Sequence, residues 1–478
     1  MKRSVLALAA ALGALLAGAV PGAAQDALSA ADRQLARDIF RELIEINTTD
    51  SLGNTPRAAR AMAGRLRVAG FPAADVQVLI GPDAKHGNLV ARYRGNGTGG
   101  RPIVSLAHLD VVPARRTDWS VDPFTLLERD GYFYGRGTTD DKVGDAILVA
   151  DFIRLKRAGF TPARDLILVL TGDEETAGSC IQWLLTKHRA LVDGELALNT
   201  DAGGGVLRDG RRVMFAVQAS EKVYATYVLE AVDKGGHSSL PRPADNPIYR
   251  LAPVLERLAA YQFPVKLNEV SRAFFEQSAG IETGQLAEDM RGVLKDPPDS
   301  ASVARLSAVP FYNSKLRTTC VATMVDAGHA ENALPQSARI TVNCRILPGE
   351  PGSEVEATLR RLAADDRITI RTAYTPTPSP PSPLTPTIMD PIGRLVAEQF
   401  PNVPIVPIME AGATDGLFLR NAGIPTYGVS AVFEEQNDVR AHGRDERILV
   451  QSFYEALEFW YRMLRTLGGR ENPSGASG

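Results

Sequence analysis

Cysteine and histidine are both scarce in this chain, whose 478 residues include three cysteines and six histidines. Cys180, Cys320 and Cys344 form an odd set at unrelated spacings, so the sequence predicts neither a disulfide framework nor a zinc site of the cysteine type. Any metal ion that the protein binds would therefore have histidine and carboxylate ligands.

A strong charge of either sign is also missing. The chain has 53 Lys+Arg and 56 Asp+Glu, a formal charge of −3, and loss of Lys2 and Arg3 with a leader would leave 51 basic residues (53 − 2) against 56 acidic ones, or −5. This balance argues against a nucleic-acid partner. The sequence likewise contains no internal repeat, no Gly-x-Ser-x-Gly elbow and no Walker or dinucleotide fingerprint, so those types of site are not indicated.

Long apolar runs are absent beyond the N-terminus. There, Met1-Lys2-Arg3 precedes an apolar run over residues 5–20 and a small-residue stretch that reaches Ala24, a pattern typical of a secretory signal. The run is too short and too rich in alanine for a membrane span. We therefore predict a signal peptide at residues 1–24 and a secreted or periplasmic protein with no membrane attachment after the leader is removed.

The composition, 44% hydrophobic and 23% charged, is that of a globular protein. The chain is too long for one hydrophobic core, so we expect two domains. Helix and strand patterns alternate through the first half and return near the C-terminus, which predicts an α/β domain formed by residues 25–214 and 377–470. An α+β domain of four strands and two helices would be inserted at residues 215–376, with an irregular, partly helical segment at 268–314. Residues 471–478 would form a disordered tail.

Histidine and acidic side chains follow three predicted strands and one glycine-rich turn. The positions are His108 and Asp110, Glu174 and Glu175, Asp201, and Asp140 in the turn before an apolar helix. Such residues at neighbouring strand ends are typical of an open α/β active site. Taken singly, each has a simpler interpretation: a helix cap, a His–Asp hydrogen bond in a core, or a solvated acidic loop.

Five motifs, in this order, resemble those of the M20 metallopeptidases, the family of glutamate carboxypeptidases, carboxypeptidase S, aminoacylases and succinyl-diaminopimelate desuccinylases. The motifs are residues 105–110, 135–142, 171–178, 199–201 and 441–442, and residues 119–124 also look like that family. The likeness runs over nearly all of the mature chain. It implies a dizinc exopeptidase-type catalytic domain with an inserted lid and dimerisation domain.

The resemblance implies two zinc ions per subunit, bridged by Asp140. One ion would also be bound by His108 and Asp201, and the other by Glu175 and His442. Histidine and carboxylate ligands of this kind suit zinc and leave room for a water molecule between the ions.

Further roles follow from the same resemblance. Glu174, beside a ligand but not one itself, would be the general base, and Asp110 would orient His108. The resemblance also implies a cis peptide bond between Asp140 and Asp141.

Residues outside the metal ligands would bind the substrate. In the inserted domain, His237 would stabilise the developing oxyanion, often from the partner subunit in this family, and Asn332 and Arg345 would clamp the substrate. Gly412 and Thr414 lie in a loop that is less glycine-rich than its family counterpart, and we expect this loop to affect substrate fit.

The sequence thus predicts an exported dizinc metallohydrolase of the exopeptidase or carboxypeptidase type. Its substrates would be small peptides or N-acyl amino acids with a free carboxylate, and the inserted domain would allow a homodimer. The alternative is a non-catalytic exported binding protein derived from the same fold.

Overall fold

A computed structural model of the protein describes residues 28–469, so the predicted signal peptide and C-terminal tail lie outside the described residues. The helices are α1 (Ala30–Glu45), α2 (Thr55–Val68), α3 (Lys142–Arg157), α4 (Ser179–Lys187), α5 (Arg189–Val192), α6 (Pro247–Ala260), α7 (Glu269–Ile281), α8 (Gly284–Gly292), α9 (Ser300–Ser307), α10 (Pro310–Leu316), α11 (Gly352–Ala363), α12 (Pro386–Gln399), α13 (Gly416–Asn421) and α14 (Val450–Gly468). The strands are β1 (Val76–Ile80), β2 (Gly87–Tyr93), β3 (Ile103–His108), β4 (Leu127–Arg129), β5 (Tyr132–Tyr134), β6 (Leu166–Thr171), β7 (Leu196–Asn199), β8 (Gly204–Arg208), β9 (Arg211–Glu221), β10 (Val223–Val232), β11 (Gly236–His237), β12 (Thr319–Ala327), β13 (Ala333–Leu334), β14 (Ser337–Ile346), β15 (Ile368–Thr372), β16 (Ile405–Glu410), β17 (Thr426–Gly428), β18 (Phe433–Glu435) and β19 (Arg447–Leu449).

The larger part of the molecule is built on a ten-stranded mixed sheet with the order β1-β2-β6-β3-β7-β17-β9-β8-β18, in which β16 also pairs with β9. All six residues of β6 are buried because helices cover both faces of the sheet. Leu168 points into a core shared with α1, α3 and α14, whereas Ile167 and Val169 pack with α4, α5 and α13. This is the predicted α/β architecture.

A smaller antiparallel sheet has the order β12-β14-β10-β15. Buried and less buried positions alternate along β10, and Ala225, Tyr227 and Leu229 face a core that includes apolar residues of α6 and α11. Since one face of this sheet carries the two helices, the unit has the four strands and two helices that the sequence pattern predicts.

The border between the two sheets differs from the predicted one. Strand β9 crosses residue 215 and stays in the large sheet to Glu221, where β16 runs parallel to it. Helix α7 packs on β16, and Phe274, Phe275 and Met290 share a core with Val406 of that strand. The helical segment α7–α10 therefore packs against the large sheet. An amphipathic pattern shows that a helix has an apolar face but does not show which sheet covers it.

A disulfide bond links Cys320 to Cys344, a single bond that the sequence argument against a disulfide framework did not foresee. The two residues are direct partners in the antiparallel register of β12 and β14, a relation that their spacing of 24 residues does not reveal. Cys180 is free and buried. None of the described helices is both long and apolar enough to cross a membrane.

Candidate metal centre

The carboxyl ends of three neighbouring parallel strands bring the first group of predicted residues together. Strand β3 lies between β6 and β7 and runs parallel to both, so His108 at the end of β3 pairs in register with Thr171 at the end of β6. Glu174 and Glu175 follow β6, and Asp201 follows β7. The predicted strand-end cluster is therefore present on one edge of the sheet.

His108 is fixed by a hydrogen bond to the backbone. Its Nδ1 donates to the carbonyl oxygen of Asp110 at 3.1 Å, and the residue is 1% exposed. Because Nδ1 carries the proton, Nε2 is the nitrogen available to a metal ion. It lies 2.9 Å from Oδ1 of Asp140 and 3.6 Å from Oδ1 of Asp201.

The carboxylate of Asp110 has a different task from the predicted one. Its Oδ1 lies 3.6 Å from Nδ1 of His108, longer than a good hydrogen bond. Instead, its two oxygens accept hydrogen bonds from the backbone N–H groups of Glu174 and Glu175 at 3.1 and 3.0 Å. Asp110 thus orients His108 through its backbone and positions the two glutamates through its side chain.

Asp140 lies between two histidines. Its Oδ1 faces His108, and its Oδ2 lies 3.0 Å from Nε2 of His442, which is also 3.0 Å from Oε2 of Glu175. The peptide bond between Asp140 and Asp141 is cis, as the resemblance implies. The two oxygens of one carboxylate thus face two separate groups of potential ligands.

The donor atoms fit a pair of divalent cations. In each of two groups, His108–Asp140–Asp201 and Asp140–Glu175–His442, the potential ligand atoms lie within 4.8 Å of one another. Burial raises the pKa of Asp201 to about 7, with the charges of Asp140 and Glu175 adding to it and His108 opposing it. Carboxylates buried this close together need compensating positive charge, and nitrogen and oxygen donors are a set that zinc accepts.

A third cluster, His86, Asp173 and Cys180, has an ordinary structural explanation. The Asp173 carboxylate accepts hydrogen bonds from the backbone N–H groups of Ser179 and Cys180 at 2.8 and 2.7 Å and so caps the start of α4. Burial, reinforced by the Asp173 carboxylate, raises the pKa of the Cys180 thiol far above its usual range, so the thiolate that a metal ion would need is disfavoured.

The Arg136–Glu446 ion pair was not predicted to support the site. Both side chains are buried, at 2% and 0% exposure, and they form an ion pair. Oε1 of Glu446 accepts from the backbone N–H groups of Gly137 and Thr139 at 3.1 and 2.8 Å, in the turn that leads to Asp140. Arg136 donates to the carbonyl oxygen of Gly443, next to His442, at 2.9 Å. The sequence signal that could have indicated this pair is the arginine between two glycines in the turn before Asp140.

The predicted substrate loop, residues 411–414, meets the smaller sheet at Arg345. The guanidinium donates to the carbonyl oxygen of Ala411 at 3.1 Å and lies over the ring of Tyr224. Gly412 is exposed. The hydroxyl of Thr414 is already engaged, since it accepts from the backbone N–H of Gly416 and donates to Glu221 at 3.1 Å. A substrate role for Thr414 stays a prediction, and the contacts give it a part in holding the loop.

The predicted oxyanion residue, His237, is in neither ligand group. His237 is exposed, and its Nδ1 accepts a hydrogen bond from the backbone N–H of Ser239 at 3.2 Å. Asn332 is exposed beside it, and its carbonyl oxygen accepts from the N–H of Ser238.

Sequence comparison connects this arrangement with known proteins. Residues 104–466 match the family Peptidase_M20, described as peptidase family M20/M25/M40. The chain is 30% identical over 389 residues to the human N-fatty-acyl-amino acid synthase/hydrolase PM20D1. The alignment covers 78% of this chain and 75% of the human protein. It is 27% identical over 390 residues to the probable carboxypeptidase S-like 2 of Dictyostelium discoideum, with 79% and 74% of the two chains covered.

Solved structures share the fold. The M20 family metallo-carboxypeptidase Sso-CP2 from Sulfolobus solfataricus superposes with a TM-score of 0.69 at 16% identity, over 91% of this chain and 99% of that chain. Human carnosine dipeptidase 1 gives 0.64 at 16% identity, over 92% and 97%. The Bacillus subtilis YXEP protein, a dinuclear metal-binding peptidase of the M20 family, gives 0.58 at 13% identity, over 92% and 98%.

Proposed function

Because the chain belongs to peptidase family M20/M25/M40, we propose that it is an exported dizinc hydrolase of small peptides or N-acyl amino acids that carry a free carboxylate. Family membership makes the chain a metal-dependent hydrolase, so the alternative of a non-catalytic binding protein is set aside. The two metal ions, the substrate class, the residue roles and the export belong to the proposal.

The observation that carries the proposal is the position of Asp140 between two groups of ligand atoms. Its oxygens lie 2.9 Å from Nε2 of His108 and 3.0 Å from Nε2 of His442. We assign Asp201 to the first ion and Glu175 to the second, which gives each ion one histidine, one carboxylate of its own and the shared carboxylate. Zinc ions bound there would polarise the scissile carbonyl and make hydroxide available near neutral pH.

Glu174 is the group that would move the proton. It belongs to neither ligand group, and its backbone N–H is held by Asp110 at 3.1 Å. In the proposed reaction the water oxygen bonds to the carbonyl carbon, Glu174 accepts a water proton, and the same proton passes to the leaving amine as the C–N bond breaks.

Arg345 is proposed to bind the substrate carboxylate. Its guanidinium is partly buried beside the loop at Ala411, and an arginine fork matches a carboxylate in shape and charge. The name of the human relative gives N-fatty-acyl-amino acids, and that of the Dictyostelium relative gives a probable carboxypeptidase, which supports these two substrate classes. Asn332 and His237 would join the site from the short strand pair β11–β13.

Export is supported by the disulfide bond. Cys320 and Cys344 are paired, and disulfide bonds persist mainly in secreted, periplasmic and other oxidising environments. This fits the predicted signal peptide at residues 1–24. Detection of the mature protein, cleaved near Ala24, outside the cytoplasm would test the localisation.

A metal titration combined with a substrate panel tests the function. The metal-free protein should hydrolyse neither dipeptides nor N-acyl amino acids, and activity should reach its maximum at two equivalents of zinc. Asp140→Ala should lose both metal ions and all activity, because the bridge is removed. The control Asp366→Ala changes an exposed aspartate whose side chain forms no hydrogen bond or ion pair in the described part of the chain, so this variant should behave as wild type. Full activity without metal, or in Asp140→Ala, would refute the proposal.

A further inference from the structure

A buried ion pair lies next to the predicted substrate loop, residues 411–414. Glu221 is the last residue of β9 and Arg420 lies in α13, and both side chains are almost fully buried. Nη2 of Arg420 is 2.5 Å from Oε1 of Glu221. Removing two charges from water is costly, and apolar side chains of similar volume often stabilise a fold as well or better. Stability alone is therefore a weak explanation for this pair, which no step of the metal chemistry uses.

Glu221 holds the end of the substrate loop. Its second carboxylate oxygen, Oε2, accepts hydrogen bonds from the hydroxyl of Thr414 at 3.1 Å and from Nε2 of Gln218 at 2.9 Å. The Thr414 hydroxyl in turn accepts from the backbone N–H of Gly416, the first residue of α13. Arg420 belongs to the same short helix, so the ion pair binds Glu221 to the element that follows the loop.

The next residue along the chain, Lys222, holds the start of the loop. Its backbone N–H donates to the carbonyl oxygen of Glu410 at 2.9 Å. Glu410 is the last residue of β16, directly before the loop, and Lys222 stands between β9 of the large sheet and β10 of the smaller sheet. The two ends of the loop are therefore bound to successive residues at the point where the chain passes from one sheet to the other. Gly412 and Ala413, between these ends, are exposed.

The substrate loop also connects the metal centre to the proposed carboxylate site. Asp415, directly after the loop, accepts a hydrogen bond from the hydroxyl of Thr171 at 2.6 Å, and Thr171 is in register with the proposed metal ligand His108. At the start of the loop, the carbonyl oxygen of Ala411 accepts from Arg345 at 3.1 Å. The conformation of this short loop therefore sets the distance between the metal centre and the arginine.

We infer that Glu221, held in place by Arg420, is a positioning residue that fixes the substrate loop and thereby the separation between the substrate's carboxylate and its scissile amide. A fixed separation selects for one carbon atom between the amide nitrogen and the carboxylate, as in an α-amino acid. With its carboxylate at Arg345, a substrate that has one more carbon there would misplace its carbonyl, and a displacement of about 1 Å can cost about a hundredfold in rate. The inference rests on the proposed amide hydrolysis and names a residue that determines its specificity.

A pair of constitutional isomers tests the inference. N-acetyl-L-alanine and N-acetyl-β-alanine contain the same atoms, but the second has one more carbon between the amide nitrogen and the carboxylate. The zinc-loaded wild type should prefer N-acetyl-L-alanine by roughly a hundredfold in kcat/KM. Thr414→Val keeps the shape of the side chain but removes the hydroxyl bound by Glu221, so this preference should fall by roughly tenfold. Equal kcat/KM for the two isomers in wild type, or an unchanged preference in Thr414→Val, would overturn the inference.

Three further variants separate positioning from stability. Thr414→Ser returns the hydroxyl and should return the preference for N-acetyl-L-alanine. Thr358→Val makes the same change at an equally buried threonine of α11 and should leave the preference at the wild-type value, so a loss there would overturn the inference. Glu221→Leu/Arg420→Met replaces the ion pair by apolar side chains, and it should melt at or above the wild-type temperature yet lose the preference by roughly tenfold. If the double variant does not fold, Thr414→Val and its two threonine controls decide.

Hydrogen exchange separates this inference from the hydrolase proposal. In the metal-free protein, the backbone amides of residues 411–416 should exchange roughly tenfold faster in Thr414→Val than in wild type, and at the wild-type rate in Thr414→Ser and Thr358→Val. If exchange changes in this way but wild type cleaves neither isomer, the hydrolase proposal fails and the assignment of Glu221 as the residue that holds the loop stands. If exchange in Thr414→Val equals that of wild type, Glu221 does not hold the loop, whatever the enzyme cleaves.

Discussion

Individual carboxylates in this protein hold backbone segments in place, in addition to those proposed to bind metal ions. Asp110 accepts from the N–H groups of Glu174 and Glu175, and Glu446 accepts from those of Gly137 and Thr139. Each acid therefore fixes a turn that carries a proposed catalytic or metal-binding side chain. Such supporting contacts restrict the orientation of the ligands in much the same way as partners of metal-binding histidines do.

Glu174→Gln tests the proposed general base. The amide keeps the size of the side chain but cannot accept the water proton, so turnover should fall by roughly 10²–10⁴ or more. Two metal ions should remain bound in elemental analysis, because Glu174 is in neither ligand group. Glu175→Gln serves as the contrast, since it should lose metal. Substantial activity in Glu174→Gln would remove this residue as the base.

Glu446→Gln tests the buried ion pair. The change leaves Arg136 charged at 2% exposure without its partner, so we expect the free energy of unfolding to fall by about 3–5 kcal/mol. Urea denaturation of the metal-free protein measures the loss. Glu356→Gln, which breaks the exposed pair with Arg360, should cost about 0.5 kcal/mol or less. Equal losses in the two variants would show that the buried pair contributes no more than a surface pair.

Secondary structure elements differ in how well the sequence foretells them. The continuous apolar run that becomes β6 and the helical spacing of apolar residues in α2 and α6 are visible in the sequence itself. The packing of α7–α10 on β16 was not visible, because partner choice depends on surfaces that are distant in the chain. The Cys320–Cys344 bond was missed for the same reason, since it depends on the register of β12 and β14.

The disulfide bond should stabilise the smaller sheet. It closes a loop between residues 24 apart, and cross-links of this size typically contribute about 2–4 kcal/mol. Cys320→Ser/Cys344→Ser should therefore lower the melting temperature measured by circular dichroism. Wild type in reducing agent should melt at the same lower temperature, whereas the double variant should be insensitive to reductant because Cys180 is unpaired. A melting temperature that is unaffected by both treatments would contradict the prediction.

At the scale of the whole molecule, the sequence predicted which strand ends meet. It did not predict the position of the inserted residues relative to the metal centre. His108, Glu175 and Asp201 converge because the order of the parallel strands β6-β3-β7 places their loops on one edge, and Asp140 and His442 join them from loops next to β5 and β19. Whether His237 and Asn332 reach the metal centre depends on the position of the inserted unit relative to the large sheet. No sequence motif specifies that position. In this structure both are exposed, His237 in the short strand pair β11–β13 and Asn332 just before β13.

If His237 stabilises the oxyanion as proposed, it would reach the metal centre by movement of the strand pair β11–β13 or from a second copy of the chain. Strand β12 offers a second copy an exposed edge, where Val321, Met324 and Val325 are 59%, 66% and 61% exposed. In either case His237→Ala should lower kcat by about a hundredfold or more, the usual effect of losing one donor to a developing oxyanion. Zinc content should not change. Wild-type kcat, or loss of zinc, would show that His237 is a structural residue or a ligand.

Mixing two inactive variants distinguishes the two routes to closure. In a dimer of His237→Ala with Glu174→Gln, the His237→Ala subunit keeps its own Glu174 and would receive His237 from its partner. If the histidine is supplied in trans, the mixture should be far more active than either variant alone, after subunit exchange verified by mass measurement. If each chain supplies its own His237, every site in the mixture lacks one of the two groups, and activity stays at the level of the single variants. The gain on mixing is thus expected only if the active site is shared between subunits through the smaller sheet.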